Sequence, residues 1–134
     1  MTKEALKNRY EGSQSFLQEA CLFLSLTSIA EQVTNSNIDI LGTLAYCKRQ
    51  GYINSKNEMT VEGQCAYLRD LTGKNWRREV LKELPNPVPD EMYTVEKWKR
   101  AERTHFRRRF MDTLTNSQTV ALGKLVEYYC YIHD

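Results

Sequence analysis

Gln14-Ser-Phe-Leu-Gln-Glu-Ala-Cys21-Leu-Phe-Leu-Ser-Leu-Thr-Ser-Ile-Ala-Glu-Gln-Val33 is the stretch on which the fold turns. From Cys21 onward, apolar residues recur at Leu22, Leu26, Ile29 and Val33, which is one face of a helix. Phe23, Leu24 and Ala30 widen that face until the segment over 21–33 reads as a mostly buried central helix. On this reading Cys21 stands in the first turn, with Gln14 and Gln18 just upstream. Backbone N–H groups of a first turn lack intrahelical partners and the macrodipole is positive there, so a thiolate placed at that end is stabilised.

Two more helices follow. Ser36 or Asn37 can cap a run from Ile38 to Gln50, with Ile40, Leu41, Leu44 and Ala45 inward and Gly51 as the stop. Thr60 can cap a shorter helix to about Leu71, ended by Gly73, although Gly63 inside it is a poor helix former. Pro85-Asn-Pro87-Val-Pro89-Asp90 interrupts regular structure. Beyond it, Met92 to Lys99, Thr104 to Leu114 and Gly123 to Ile132 are rich in β-branched and aromatic residues. In the last of these, Leu125, Glu127, Tyr129 and Tyr131 alternate with Val126, Tyr128, Cys130 and Ile132. Helices first and strands second predict an α+β fold, with N-terminal helices packed on a C-terminal antiparallel sheet. The length of 134 residues fits a single domain over 1–134.

Composition excludes several classes. At 41% hydrophobic and 27% charged residues the chain is ordinary for a globular protein. Its net charge of +2 gives no global basic field for nucleic acid, although Arg103, Arg107, Arg108 and Arg109 crowd one segment. No run approaches the roughly 20 apolar residues of a spanning helix, so no membrane partner is expected. Cys21, Cys47, Cys65 and Cys130 lie far apart, and the chain opens Met1-Thr-Lys-Glu with no apolar leader, so reduced thiols and a cytoplasmic location are expected. Neither these cysteines nor the two histidines supply zinc-ligand spacing, and neither a metal nor a cofactor is expected.

A nucleophilic cysteine needs a base. His133 is near the chain's end, which leaves His105 in Thr104-His-Phe-Arg-Arg-Arg-Phe-Met-Asp112. The expected catalytic set is Cys21 as nucleophile, His105 as base and Asp112 as the carboxylate that orients the ring. Gln14 or Gln18 would donate an amide to the developing oxyanion. Each residue also has a plainer role: a core thiol, a strand histidine bonded to a carbonyl, a turn aspartate, surface glutamines.

Gly12-Ser-Gln14 through Cys21-Leu-Phe-Leu-Ser-Leu26, then Thr104-His-Phe106, then Asp112-Thr-Leu and Asn116-Ser-Gln-Thr-Val-Ala-Leu-Gly123-Lys, resemble small bacterial and phage papain-like cysteine peptidases. The resemblance spans most of the chain. It implies a papain-like fold and a thiol protease or amidohydrolase, with a peptide or protein as substrate and Cys21, His105 and Asp112 in the roles above. Two departures stand out. The Cys-Gly-Ser-Cys-Trp signature of the larger papain enzymes is absent, because bulky Leu22 and Phe23 follow Cys21. The odd interval from His105 to Asp112 puts their side chains on opposite faces of an uninterrupted strand, so a bend within Arg107-Arg108-Arg109 is expected. The alternative is a catalytically inactive protein-binding module on the same scaffold, such as a phage accessory or structural protein.

Overall fold

The computed structural model describes residues 14–56, 58–108 and 123–134, with side chains from Cys21 onward. Its order is helices α1 (Gln14–Thr34), α2 (Ile40–Gln50) and α3 (Val61–Thr72), then strands β1 (Trp76–Leu81), β2 (Met92–Arg100), β3 (Arg103–Arg108) and β4 (Lys124–His133). Among the described residues all strand pairs are antiparallel and the sheet order is β1-β4-β2-β3, which makes the fold α+β.

Helix α1 is buried on every side from Cys21 to Ala30. A helix without a solvent face must satisfy its own polar side chains, and it does so locally. Ser25 Oγ donates to the Cys21 carbonyl at 2.8 Å and Thr27 Oγ1 to the Phe23 carbonyl at 2.8 Å. Thr27 also shares a 2.6 Å hydrogen bond with the Tyr67 hydroxyl, which ties α1 to α3 in the core. Phe23, Leu26, Ile29, Tyr67 and Leu68 join Val95 and Tyr131 of the sheet in one cluster. No helix among the described residues is long and apolar enough to cross a membrane.

The expected helix starts at Ser36 or Asn37 and at Thr60 fared differently. α2 begins at Ile40 with Asp39 at the cap position, where no side-chain cap bond forms. Its end follows the glycine signal: Gly51 has φ +77° and Tyr52 N–H reaches the Cys47 carbonyl at 2.9 Å. Thr60 caps α3 by accepting the Gly63 N–H at 2.9 Å, and Gly73, with φ +74°, closes it. Gly63 has a packing reason to be there. A Cβ at this position would stand 2.7 Å from Tyr52 Cα and 2.8 Å from Tyr52 O, both backbone atoms that cannot swing aside.

Strand β1 was not anticipated from the sequence. Trp76-Arg-Arg-Glu-Val-Leu81 is short and carries three charges, yet it pairs with β4 from Trp76↔His133 to Leu81↔Tyr128. The expected strand from Thr104 begins one residue earlier, across a two-residue turn in which Ala101 takes φ +53°; its stretch beyond Arg108 lies outside the described residues. The alternation expected along β4 is broken. Lys97 pairs with Glu127 but Trp98 pairs with Leu125, so an irregularity there sends Leu125 and Glu127 to opposite faces.

Gly63→Ala tests the packing at Tyr52. Helix propensity alone would have alanine stabilise α3 by up to about 1 kcal/mol, whereas the Tyr52 backbone contact should make it destabilising by about 1–3 kcal/mol. Urea unfolding reads the sign. A second expectation concerns alkaline pH. Burial pushes the Cys47 thiol up to about 12, with Asp70 adding to it, and burial also raises Tyr67 and Tyr131. Groups that hold their protons more tightly when folded stabilise fully below their unfolded values and lose that contribution as pH rises through the folded ones. Thermal stability should therefore fall from about pH 9 upward; a flat melting temperature between pH 9 and 11 would contradict this.

Candidate active site

Helix α1 already runs at Gln14, so Cys21 lies about two turns inside it and not in its first turn. The reason is local. Leu17, Gln18, Glu19 and Ala20 are all good helix formers, and nothing in that stretch stops a helix. The thiol therefore cannot draw on free first-turn N–H groups, and its own N–H belongs to the helix ladder. Gln14 and Gln18 are described by backbone alone, both within α1.

What α1 does provide is a contact with β3. Cys21 Sγ accepts the backbone N–H of Phe106 at 3.4 Å, and about two helical turns further on Arg108 Nη1 donates to Ser28 Oγ at 3.3 Å. The sulfur of Cys21 thus lies against the peptide that joins His105 to Phe106, across 85 positions of sequence. Both Cys21 and His105 are deeply buried, at 1% and 4% exposure. Alternation along β3 turns the Phe106 side chain toward Lys97 and the His105 side chain toward Trp98, its partner across the strands.

The face that carries His105 also holds a buried carboxylate not singled out in the sequence. Glu96 pairs with Arg107 across β2 and β3; its Oε1 accepts from Arg107 Nε at 2.8 Å and from Trp98 Nε1 at 3.0 Å. The Arg107 guanidinium stacks 5.1 Å from the Trp98 ring centroid. Only the pairing of β2 with β3 brings Glu96 onto the histidine's face, which no local motif signals. Asp112 lies outside the described residues. Arg107 and Arg108 keep regular register with Glu96 and Val95, so the bend expected within 107–109 does not occur at these two residues.

The remaining thiols are held protonated. Burial raises Cys47 to about 12 and Cys130 to about 11, and it raises Cys65 as well, where Arg78 pulls the other way. No disulfide joins any of the cysteines. Among the described residues no three His, Cys, Asp or Glu side chains are grouped so as to hold a metal ion. Beside the α1–β3 contact opens a cleft of about 540 Å³, bordered by Leu22, which follows Cys21, and by Thr104 and Phe106, which flank His105. Comparison with known protein families, with curated proteins and with solved structures found no match.

The Cys21–Phe106 contact has a measurable weight. Cys21→Ala should cost about 1–3 kcal/mol, because the strand N–H loses its sulfur acceptor in a dry setting. Cys21→Ser, which keeps an acceptor, should cost less. Urea unfolding of the two variants checks the order, and equal losses would mean that the sulfur contributes packing alone.

Proposed function

We propose that the chain is a papain-like cysteine peptidase or amidohydrolase that acts by acyl transfer through Cys21 and His105. The observation that supports this reading is the contact of Cys21 Sγ with the N–H of Phe106, which draws the thiol to the strand segment that carries His105. A cleft bordered by Leu22, Thr104 and Phe106 lies beside that contact, and neither Cys21 nor His105 lines it, so a substrate would have to reach the pair from its edge.

The chemistry needs no metal or cofactor. His105 takes the Cys21 proton, and the thiolate attacks the acyl carbon of a peptide or amide to give a tetrahedral intermediate. The carbon–nitrogen bond then breaks as His105 returns the proton to the departing amine, leaving a thioester on Cys21. Water, deprotonated by His105, attacks that thioester and releases the acid and the thiol. In this scheme Gln14 or Gln18 donates an amide to the oxyanion and Asp112 orients the imidazole. The same reading sets the protein in the cytoplasm, where its thiols remain reduced.

A second reading keeps the scaffold and drops the chemistry. Its motivation is the 1% exposure of Cys21 and its place two turns inside α1, where the sulfur would serve the packing of the helix, as an acceptor for β3. The protein is then a binding module.

One labelling experiment separates the two. A thiol-directed peptidase inhibitor at pH 7 should modify Cys21 about a hundredfold faster than Cys65, the most exposed of the other thiols, and His105→Ala should remove that advantage, as expected of a lost general base. Modification of Cys65 first, with Cys21 as slow as Cys47, would leave only the binding module.

A further inference from the structure

The cleft beside α1 and β3 is organised around one guanidinium. Arg78 of β1 donates from Nη1 to Gln64 Oε1 at 3.2 Å, and its Cζ lies 4.6 Å from the centroid of the Tyr129 ring. Gln64 is itself buried and fixed from two sides: its Nε2 donates to the Met59 carbonyl at 3.4 Å, and its Oε1 accepts the Tyr131 hydroxyl at 2.7 Å. Arg78 is therefore held by a buried amide and a ring face at the border of the cleft, and its fork of five N–H groups exceeds what these neighbours can accept. Such a fork suits a carboxylate, which it can bind through two parallel hydrogen bonds.

Most, though not all, of the charge around it has the same sign. Lys99 and Arg103 line the cleft from β2 and β3, and among the described residues no carboxylate lies within ion-pair distance of Arg78, Lys99 or Arg103. Lys97 is already engaged, since its Nζ sits 3.3 Å from Glu127 Oε1. Burial pulls the Glu127 carboxyl upward, but the hydrogen bonds and charges of Lys97 and Lys82 outweigh it and hold the group below its ordinary value, charged against those lysines. Glu58 and Glu102 also line the cleft, and they would repel a continuous polyanion such as a nucleic-acid strand. The rest of the lining is Thr104 and four apolar side chains: Leu22, Met59, Phe106 and Val61, the last of them 53% exposed. An anchored anion beside a few hydrophobic contacts in a largely polar cleft suits a peptide side chain and its neighbour, and the volume falls within the usual range for ligand clefts, about 300–1,000 Å³.

We propose that this cleft binds an acidic peptide segment, with a glutamate or aspartate carboxylate on Arg78 and a neighbouring apolar side chain against Val61 and Met59. Binding of this kind does not require Cys21 to react. If Cys21 does react, acidic peptides become the substrate class, and that consequence alone rests on the preceding reading.

The test uses the full chain carrying Cys21→Ser, so that no turnover intervenes, and fluorescence anisotropy of two labelled peptides that differ only in a central Glu or Gln within an apolar sequence. The Glu peptide should bind about tenfold more tightly, as expected for a charged hydrogen-bonded pair. Arg78→Gln should bring the two peptides to within about twofold of each other. A double change of the exposed pair, Lys99→Gln with Arg103→Gln, should weaken the Glu peptide about two- to fivefold, and it decides the matter if Arg78→Gln does not fold. Equal affinity for the two peptides, or an unchanged preference in Arg78→Gln, would overturn the proposal, and so would tighter binding of a single-stranded oligonucleotide than of the Glu peptide. Absence of inhibitor labelling at Cys21 would leave this binding untouched, so the two readings fail separately.

Discussion

Everything else among the described residues is arranged around a helical stretch that has no wet side. Ten consecutive residues, Cys21 to Ala30, are shielded at once, so α1 must meet α3 on one flank and the sheet on another. Three of those residues carry hydroxyls, and their burial is tolerable because Ser25 and Thr27 return a hydrogen bond to their own helix and Ser28 accepts one from Arg108. The Thr27–Tyr67 bond does more than satisfy two polar groups. It specifies which side of α1 faces α3, and with that the side that presents Cys21 to β3 is settled too.

How much of this could be read from the residues depended on how local each signal was. The ends of α2 and α3 at Gly51 and Gly73, and the cap at Thr60, are written within a few positions and were legible. The apolar run of α1 was equally plain, but its beginning was not: Cys21 marks where the hydrophobic face starts, and the backbone had become helical before that. β1 was missed because Arg77, Arg78 and Glu79 dilute its apolar content, and what makes it a strand is a partner at the far end of the chain. The break in β4 is also invisible locally, since an extra residue there matters only against β2.

The candidate site divides along the same line. Cys21 and His105 were singled out by residue type and chain order, and α1 and β3 do meet where the sulfur touches the Phe106 N–H. Burial of both side chains was not foreseeable, because it arises from the meeting of elements far apart in sequence. Glu96 and Arg78 escaped notice for a related reason. Each stands in a stretch without a motif, and each acquires its meaning from strands that pair across distant parts of the sequence.

The position of β4 has a kinetic implication. It lies between β1 and β2, so neither β1 nor the β2–β3 hairpin belongs to a common sheet until residues 124–133 exist and have found their places. On the ribosome the helices can gather early, but Trp76 must wait for His133. Assembly governed by such long-range pairing is slow, and until it completes, the apolar flank of α1 that the sheet will cover stays available to chaperones and to other nascent chains.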